Sequence, residues 1–339
     1  MKLKEDGVYI IAEVGVNHNG DIDIAKRLVD VAVESGADAV KFQTFKAEES
    51  TGESALKAQY QQQNDPTLES QLEMIRRLEL SFESFGDIKQ YCEKKKIDFI
   101  STPDGKESLE CLLNLGVPLI KIGSTEVTNL PFLKELAESG KRLILSTGMS
   151  TLGEVEKAVD VIRGTGNDQL ILMHCSTDYP TQVSDVNLKA MLTMRDAFNL
   201  DVGYSDHTMG FDAAIAATAM GAVCIEKHIT LDRAMKGPDH NASMPPSEFH
   251  EYVEHIRSTE KLLGDGRKRP TVNERVIMAQ VRRSILASDA LKKGTVLTKE
   301  MICFKRPGYG IAPEFEEIVV GRTLKRDIEK GEVILWEDI

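Results

Sequence analysis

The chain has 339 residues, 41% hydrophobic and 28% charged, which is the composition of a globular protein and not of a disordered or fibrous one. Forty-two Lys and Arg against 54 Asp and Glu leave a net charge of −12, opposite to the basic balance of nucleic-acid binders, so no nucleic-acid partner is expected and an anionic substrate needs local positive charge. No apolar run reaches the roughly 18 residues of a membrane span, MKLKEDG lacks an apolar signal region, and the odd set Cys92, Cys111, Cys175, Cys224 and Cys303 contains no C-x-x-C, so a cytoplasmic protein without a disulfide framework or membrane association is expected.

Along the chain, short β-branched runs ending in small or polar residues alternate with segments of helical period. The predicted strands are 8–15, 39–45, 98–103, 119–125, 142–148, 170–177, 200–208 and 222–230, separated by amphipathic stretches such as IDIAKRLVDVAVESG and TLGEVEKAVDVIRG. Eight such units predict an α/β fold, a (β/α)8 TIM barrel over residues 1–264, with functional residues at the C-terminal ends of its strands. A doubly wound sheet is the alternative, but no G-x-G-x-x-G follows the first strand. Residues 46–81, rich in Gln, Glu and Ser, form the longest interruption and read as a loop over the active face. A linker at 265–282, helical through NERVIMAQVRRS, leads to a small domain of short strands and turns at 283–339, where DALKKGTVL and DIEKGEVIL are related pieces.

Nearly every predicted strand ends in polar groups. They include Glu13 and Asn17-His18-Asn19-Gly20; Lys41 and Gln43, which alternation puts on one face; Ser101-Thr102-Pro103; and Lys121 with Ser124-Thr125-Glu126. Further on come Ser146-Thr147-Gly148, His174 to Tyr179, Ser205-Asp206-His207-Thr208 and Glu226-Lys227-His228. A lone strand histidine is ordinarily a hydrogen-bonded core or rim residue, and Glu13 or Glu126 could simply neutralise Lys41 or Lys121 inside the barrel. Polar groups at the same end of eight strands instead favour a catalytic pocket. Lys41, Lys121, Ser124, Ser205 and turn amides suit a phosphate and a carboxylate. His207 and His228, on adjacent strands, can converge on one divalent ion, Mn²⁺ first with Mg²⁺ or Co²⁺ as alternatives, and Glu226 shares their face.

The motifs AEVGVNHNGD (12–21), VKFQTFKA (40–47), ESQLEMIRRLEL (69–80), STGMSTLGE (146–154), LMHCSTDYPT (172–181), VGYSDHTMG (202–210), IEKHITLD (225–232) and GPDHNASM (237–244) resemble the sialic acid synthase family, which includes the N-acetylneuraminate, legionaminate and pseudaminate synthases. FKRPGYGIAP (304–313) resembles that family's C-terminal antifreeze-like domain, of β-clip type. The resemblance implies condensation of phosphoenolpyruvate with an N-acetylated hexosamine, either N-acetylmannosamine or a 2,4-diacetamido-trideoxy-mannose. The products are a nine-carbon 2-keto sugar acid and phosphate, formed by C–O cleavage with metal activation of the sugar aldehyde.

The resemblance further implies that His207 and His228 bind the metal, and that Lys41, Lys121, Ser124, Ser205 and Thr102 surround phosphoenolpyruvate. Gln43, Tyr179, Glu226 and Asp239 line the sugar and metal side with Glu13 and Glu126, one of which moves the proton. It also implies a domain-swapped homodimer whose partner chain supplies Arg306 to the sugar. The family usually carries Phe where Asp104 stands, Gly at Thr125, Asn at Tyr309 and Asn at Thr177, departures that bear on the sugar more than on the reaction. Two other readings remain open at this stage: another metal-dependent barrel lyase or aldolase acting on a sugar phosphate, and a carbohydrate-binding protein on a degenerate barrel.

Overall fold

Strict alternation along the strands sorts the apolar residues into two cores. The computed structural model describes residues 3, 7–57, 62 and 70–339; most of MKLKEDG, the middle of the 46–81 interruption and the first residue of ESQLEMIRRLEL lie outside them. The chain divides into two units, residues 1–264 and 265–339.

In the first unit, β1 (Tyr9–Gly15), β2 (Ala39–Thr44), β3 (Asp98–Pro103), β4 (Leu119–Ile122), β5 (Arg142–Ser146), β6 (Leu170–Cys175), β7 (Val202–Asp206) and β8 (Cys224–His228) run parallel in chain order. They close into a barrel by pairing of β8 with β1. Helices follow the strands, as in Ile22–Glu34 after β1 and Leu152–Gly164 after β5. The expected (β/α)8 barrel is therefore present. Most strands are shorter than their sequence signal, because the terminal S-T, S-T-G and H-T residues leave the ladder for loops.

Residues facing out, among them Ile10, Val40, Phe42, Ile120, Leu143, Leu172 and Ile225, join helix residues such as Leu28, Ile88, Leu112 and Phe249 in the larger core. Residues facing in (Ile11, Ala39, Ile100, Leu119, Ile144, Ile171, Met173 and Cys224) form a second apolar cluster that plugs the barrel. Burying each large aliphatic side chain contributes about 1.5–3 kcal/mol, so the plug is a stable floor and the positions one rung further on are free to be polar. Gly203 belongs to this floor: a Cβ there would collide with the Cys224 side chain and come 2.7 Å from its carbonyl oxygen.

The interruption after β2 contains the helix Gln71–Leu78, started by a capping box in which Ser70 and Glu73 satisfy each other's backbone N–H groups. Its Met74 and Leu78 pack with Val16 and Phe45 in a small separate cluster. Among the described residues no helix is long and apolar enough to cross a membrane.

In the second unit, the helix Val272–Val281 occupies the stretch read as a helical linker. It is followed by the antiparallel pair β9 (Ser284–Ala287) and β10 (Ile302–Lys305). The two related pieces meet: Leu291 and Ile328 exchange backbone hydrogen bonds of 2.8 and 2.9 Å. Ile285, Leu297, Ile311, Val319, Leu324 and Ile334 lie in this unit's own core.

Candidate active site

Above the apolar floor the inward rung changes character. Glu13 on β1, Lys41 on β2, Lys121 on β4 and Glu226 on β8 are each less than 5% exposed and face one cavity of about 260 Å³. That is the small end of ligand pockets, suited to small polar substrates. Lys41 Nζ lies 2.8 Å from Glu13 Oε1 and 3.8 Å from Glu226 Oε2, and Lys121 Nζ lies 3.8 Å from that same oxygen. Lys121 also donates to Ser146 Oγ at 2.6 Å. Gln43 Nε2 donates to Glu13 Oε1 at 3.3 Å, Lys41 to Thr102 Oγ1 at 3.5 Å, and Ser205 Oγ to Glu226 Oε1 at 3.0 Å.

These contacts set the charge states. Burial pushes Glu13 up to about 7, partly offset by Lys41. Burial works against the Lys41 ammonium, but Glu13 and Glu226 together hold its pKa above the ordinary lysine value. Lys121, with more distant carboxylate company, is lowered by burial. Burial would raise Glu226, yet Lys121 and Lys41 keep it below the usual glutamate value.

The two imidazoles close the wall at β7 and β8. His207 donates from Nδ1 to Ser176 O at 2.6 Å, which leaves Nε2 as the lone-pair nitrogen, 3.3 Å from Ser205 Oγ. The His207 and His228 ring centroids are 5.5 Å apart, with Tyr179 packed 4.1 Å from the first and 5.6 Å from the second. Burial lowers His207 to about 4 and His228 well below its ordinary value, so both are neutral at pH 7, the form that ligates metal. His228 Nδ1, Glu13 Oε2 and Glu226 Oε2 are buried with no hydrogen-bond partner. Among the described residues no group of three or more His, Cys, Asp or Glu is gathered as a metal-holding set. Two imidazoles with an unsatisfied carboxylate beside them fit an ion whose remaining ligands come from substrate and water.

The wall at β4, β5 and β6 is locked by one glycine. Ser124 Oγ accepts from Gly148 N at 3.0 Å and lies 3.2 Å from Cys175 Sγ. A Cβ at Gly148 would strike Thr177 Oγ1 and come within 2.9 Å of Ser124 Oγ and 3.0 Å of Cys175 Sγ.

The cavity thus brings together Glu13, Lys41, Gln43, Thr102, Lys121, Ser124, Thr177, Tyr179, Ser205, His207, Glu226 and His228, from the ends of β1–β4 and β6–β8. Glu126 is not in its wall: the turn Ser124–Glu126 directs that carboxylate to Asn129 Nδ2, at 2.6 Å, and to Thr125. Asp239 is half-buried in the loop after β8 and is raised to about 6 by burial. That loop is tied to the first by His240, which joins Thr230 Oγ1 at 2.7 Å to Asn19 Oδ1 at 3.2 Å. Arg306 lies on an exposed turn of the second unit. Asp104, Ser146, Met149 and Cys175 also line the cavity and were not singled out as site residues, although Ser146 and Cys175 carry the same signal, a polar group at a strand's C-terminal end.

A closed parallel barrel with charged groups converging on a cavity at the C-terminal end of its strands is the architecture of a barrel enzyme. Residues 28–268 match the NeuB family and residues 282–339 match the SAF domain. The N,N'-diacetyllegionaminic acid synthase of Legionella pneumophila is 47% identical over 98% of this chain and 94% of its own, and that of Campylobacter jejuni is 44% identical over 96% and 98%. The solved N-acetylneuraminic acid (sialic acid) synthetase of Leptospira borgpetersenii, in complex with citrate, is 34% identical and covers 80% of this chain and 90% of its own, with a TM-score of 0.72. The chain belongs to the NeuB family, the sialic acid synthase family that its motifs resemble, and is an enzyme of the nonulosonic acid synthase type.

Proposed function

We propose that the enzyme condenses phosphoenolpyruvate with an N-acetylated hexosamine, giving a nine-carbon 2-keto sugar acid and phosphate. The observation that carries this is the pair of buried lysines, Lys41 and Lys121, converging on one cavity whose opposite wall holds two neutral imidazoles. Fixed cations of this kind suit a small substrate with a phosphate and a carboxylate. The similarity to two diacetyllegionaminic acid synthases, at 47% and 44% identity, favours a 2,4-diacetamido-trideoxy-mannose over N-acetylmannosamine as the acceptor. The five free cysteines fit a reducing cytoplasm.

His207 and His228 would hold the divalent ion, with Mn²⁺ preferred, and when bound it supplies Lewis-acid polarisation of the sugar aldehyde. The rest is the work of the chain's own side chains. Lys41 and Lys121, with the hydroxyls of Thr102, Ser124, Ser146 and Ser205, bind and orient phosphoenolpyruvate so that its methylene carbon faces the aldehyde. Because these charges are fixed before reaction, little reorganisation is needed as charge develops. Glu13, in the wall and raised by burial to about 7, is placed to give a proton to the new alkoxide; Glu126 is engaged elsewhere. Water then adds at C2, giving one proton back to the Glu13 carboxylate, and the tetrahedral intermediate collapses to the 2-keto acid as its C2 hydroxyl proton passes to the phosphate that leaves by C–O cleavage.

Turnover in ¹⁸O-labelled water tests the reading: label is expected at C2 of the product and not in phosphate, whereas labelled phosphate would mean attack at phosphorus and overturn the assignment. We further propose a homodimer in which Arg306 of a second copy completes the acceptor site. Arg306→Ala and His207→Ala dimers are then nearly inactive alone, and a statistical mixture recovers roughly a quarter of wild-type activity. Verified mixed dimers without recovery would refute that role.

A further inference from the structure

Asp104 follows directly on β3 and forms part of the cavity wall. Its backbone N–H donates to Thr44 O at 3.1 Å, which carries the β2–β3 ladder one rung past the strand. The next residue, Gly105, has φ +153, and a Cβ there would come 2.6 Å from Glu49 Oε2. Glu49 in turn accepts from Glu107 N at 3.3 Å. The turn that presents Asp104 is therefore fixed on both sides, by a ladder bond before it and by a glycine packed under Glu49 after it.

Each of the other carboxylates of the site has at least one oxygen committed to a protein donor. Glu13 holds Lys41 and Gln43, Glu226 holds Ser205 and faces both lysines, and Glu126 holds Asn129. Asp104 makes no hydrogen bond or ion pair through its side chain among the described residues; its electrostatic neighbours are Glu126 and Lys41. Asp104 is half-buried, so water can reach its oxygens in the open cavity, and a ligand that displaces that water must bring donors in its place. An anion cannot do so, and the cations here already face Glu13 and Glu226. An uncharged N–H or O–H is the complementary group.

We propose that Asp104 is a specificity-determining residue, accepting a hydrogen bond from an N–H or O–H substituent of the acceptor sugar and so selecting acceptors that carry a donor at that position. This rests on the synthase reading above. Burial pushes the Asp104 carboxyl up to about 7, as expected of a group that waits for its partner in a ligand.

The test uses the full-length protein and its Asp104→Ala and Asp104→Asn variants, with phosphate release from phosphoenolpyruvate as the readout. The acceptors are N-acetylmannosamine, 2,4-diacetamido-2,4,6-trideoxymannose, and analogues of each with one hydroxyl replaced by hydrogen or one amide N-methylated. With wild type, the analogue missing the recognised donor loses roughly 10- to 100-fold in kcat/KM. Asp104→Ala imposes a similar loss on the parent sugar and none on that one analogue, with the KM for phosphoenolpyruvate unchanged. Asp104→Asn, which keeps the side chain's volume, singles out the same analogue with a smaller loss. Equal losses on every sugar, no loss on any, or a rise in the phosphoenolpyruvate KM would each overturn the proposal while leaving the synthase reading intact. A wild-type protein that releases no phosphate with any acylated hexosamine would sink both.

Discussion

Strands β7 and β8 carry two buried polar clusters back to back. On the inner face stand Ser205, His207, Glu226 and His228; on the outer face stand Asp206 and Lys227, one residue out of phase with them. The outer cluster is complete. Asp206 Oδ1 accepts from Thr208 N at 2.9 Å and Thr208 Oγ1 at 2.7 Å, while Oδ2 accepts from Tyr252 Oη at 2.9 Å and lies 3.3 Å from Lys227 Nζ. Lys227 also donates to Thr208 O and stands over the Tyr252 ring. The inner cluster leaves Glu226 Oε2 and His228 Nδ1 without a hydrogen bond. Two sets of polar groups, equally buried on the same strands, thus differ in whether the protein finishes their bonding. A finished network fixes structure, and an unfinished one is kept for ligands.

Removal of one member from each side should separate the two roles. His228→Ala deletes a group the fold leaves unpaired, so turnover should fall by at least about 1,000-fold, as for loss of a metal ligand or oxyanion donor. The unfolding free energy from urea titration should stay within about 1 kcal/mol of wild type. A large stability loss with residual activity would show that the inner cluster is structural after all.

Asp206→Ala should do the reverse. It strips Lys227, Tyr252 and Thr208 of their shared partner and should cost about 3–5 kcal/mol of stability. Activity per folded molecule should stay within about tenfold of wild type, since no cavity residue is touched. Equilibrium unfolding together with kinetics on the folded fraction measures both. An Asp206→Ala protein that is stable but inactive would erase the distinction.

A smaller effect reports on Asp104. Its folded pKa, about 7, lies above the ordinary aspartate value of 3.8, so the folded state keeps a proton that the unfolded chain releases between those values. The associated stability is present at low pH and is lost as pH rises through that window. Asp104→Asn cannot lose it, so the variant's urea midpoint should climb relative to wild type from pH 4 to pH 8. A constant difference would mean that Asp104 is ionised and satisfied throughout.

Much of this was legible in the sequence, because both the barrel and its cavity are consequences of alternation. Lys41 with Gln43 and Glu226 with His228 could be placed on one face by parity alone, and they share it. Parity gave no guidance where the strand stopped. Glu126 follows the predicted fourth strand and was assigned to the site by the resemblance, but the chain turns at Ser124 and swings the carboxylate to Asn129. The strand ends were overestimated for the same reason, since a Ser-Thr or His-Thr pair satisfies strand and turn propensity alike. Asp206 and Lys227 were visible as neighbours of the histidines, but that they bond to each other depends on the register between β7 and β8, in which Asp206 pairs with Lys227. Asp104 was visible as a departure from the family's Phe; its lack of a partner is a property of three-dimensional surroundings that no single chain position reveals.

Gly148 has a consequence for how such a site can change over generations. Because a methyl group there has no room beside Thr177, Ser124 and Cys175, the ends of β4, β5 and β6 are inherited as one block. A larger side chain at any of the three tightens a space that is already full, and a compensating change must arrive at the same time. The wall built by β1 and β2 is bound in its own way, through the contacts of Glu13 with Lys41 and Gln43, so freedom to vary one residue at a time is left to positions such as Asp104 that no neighbouring side chain holds.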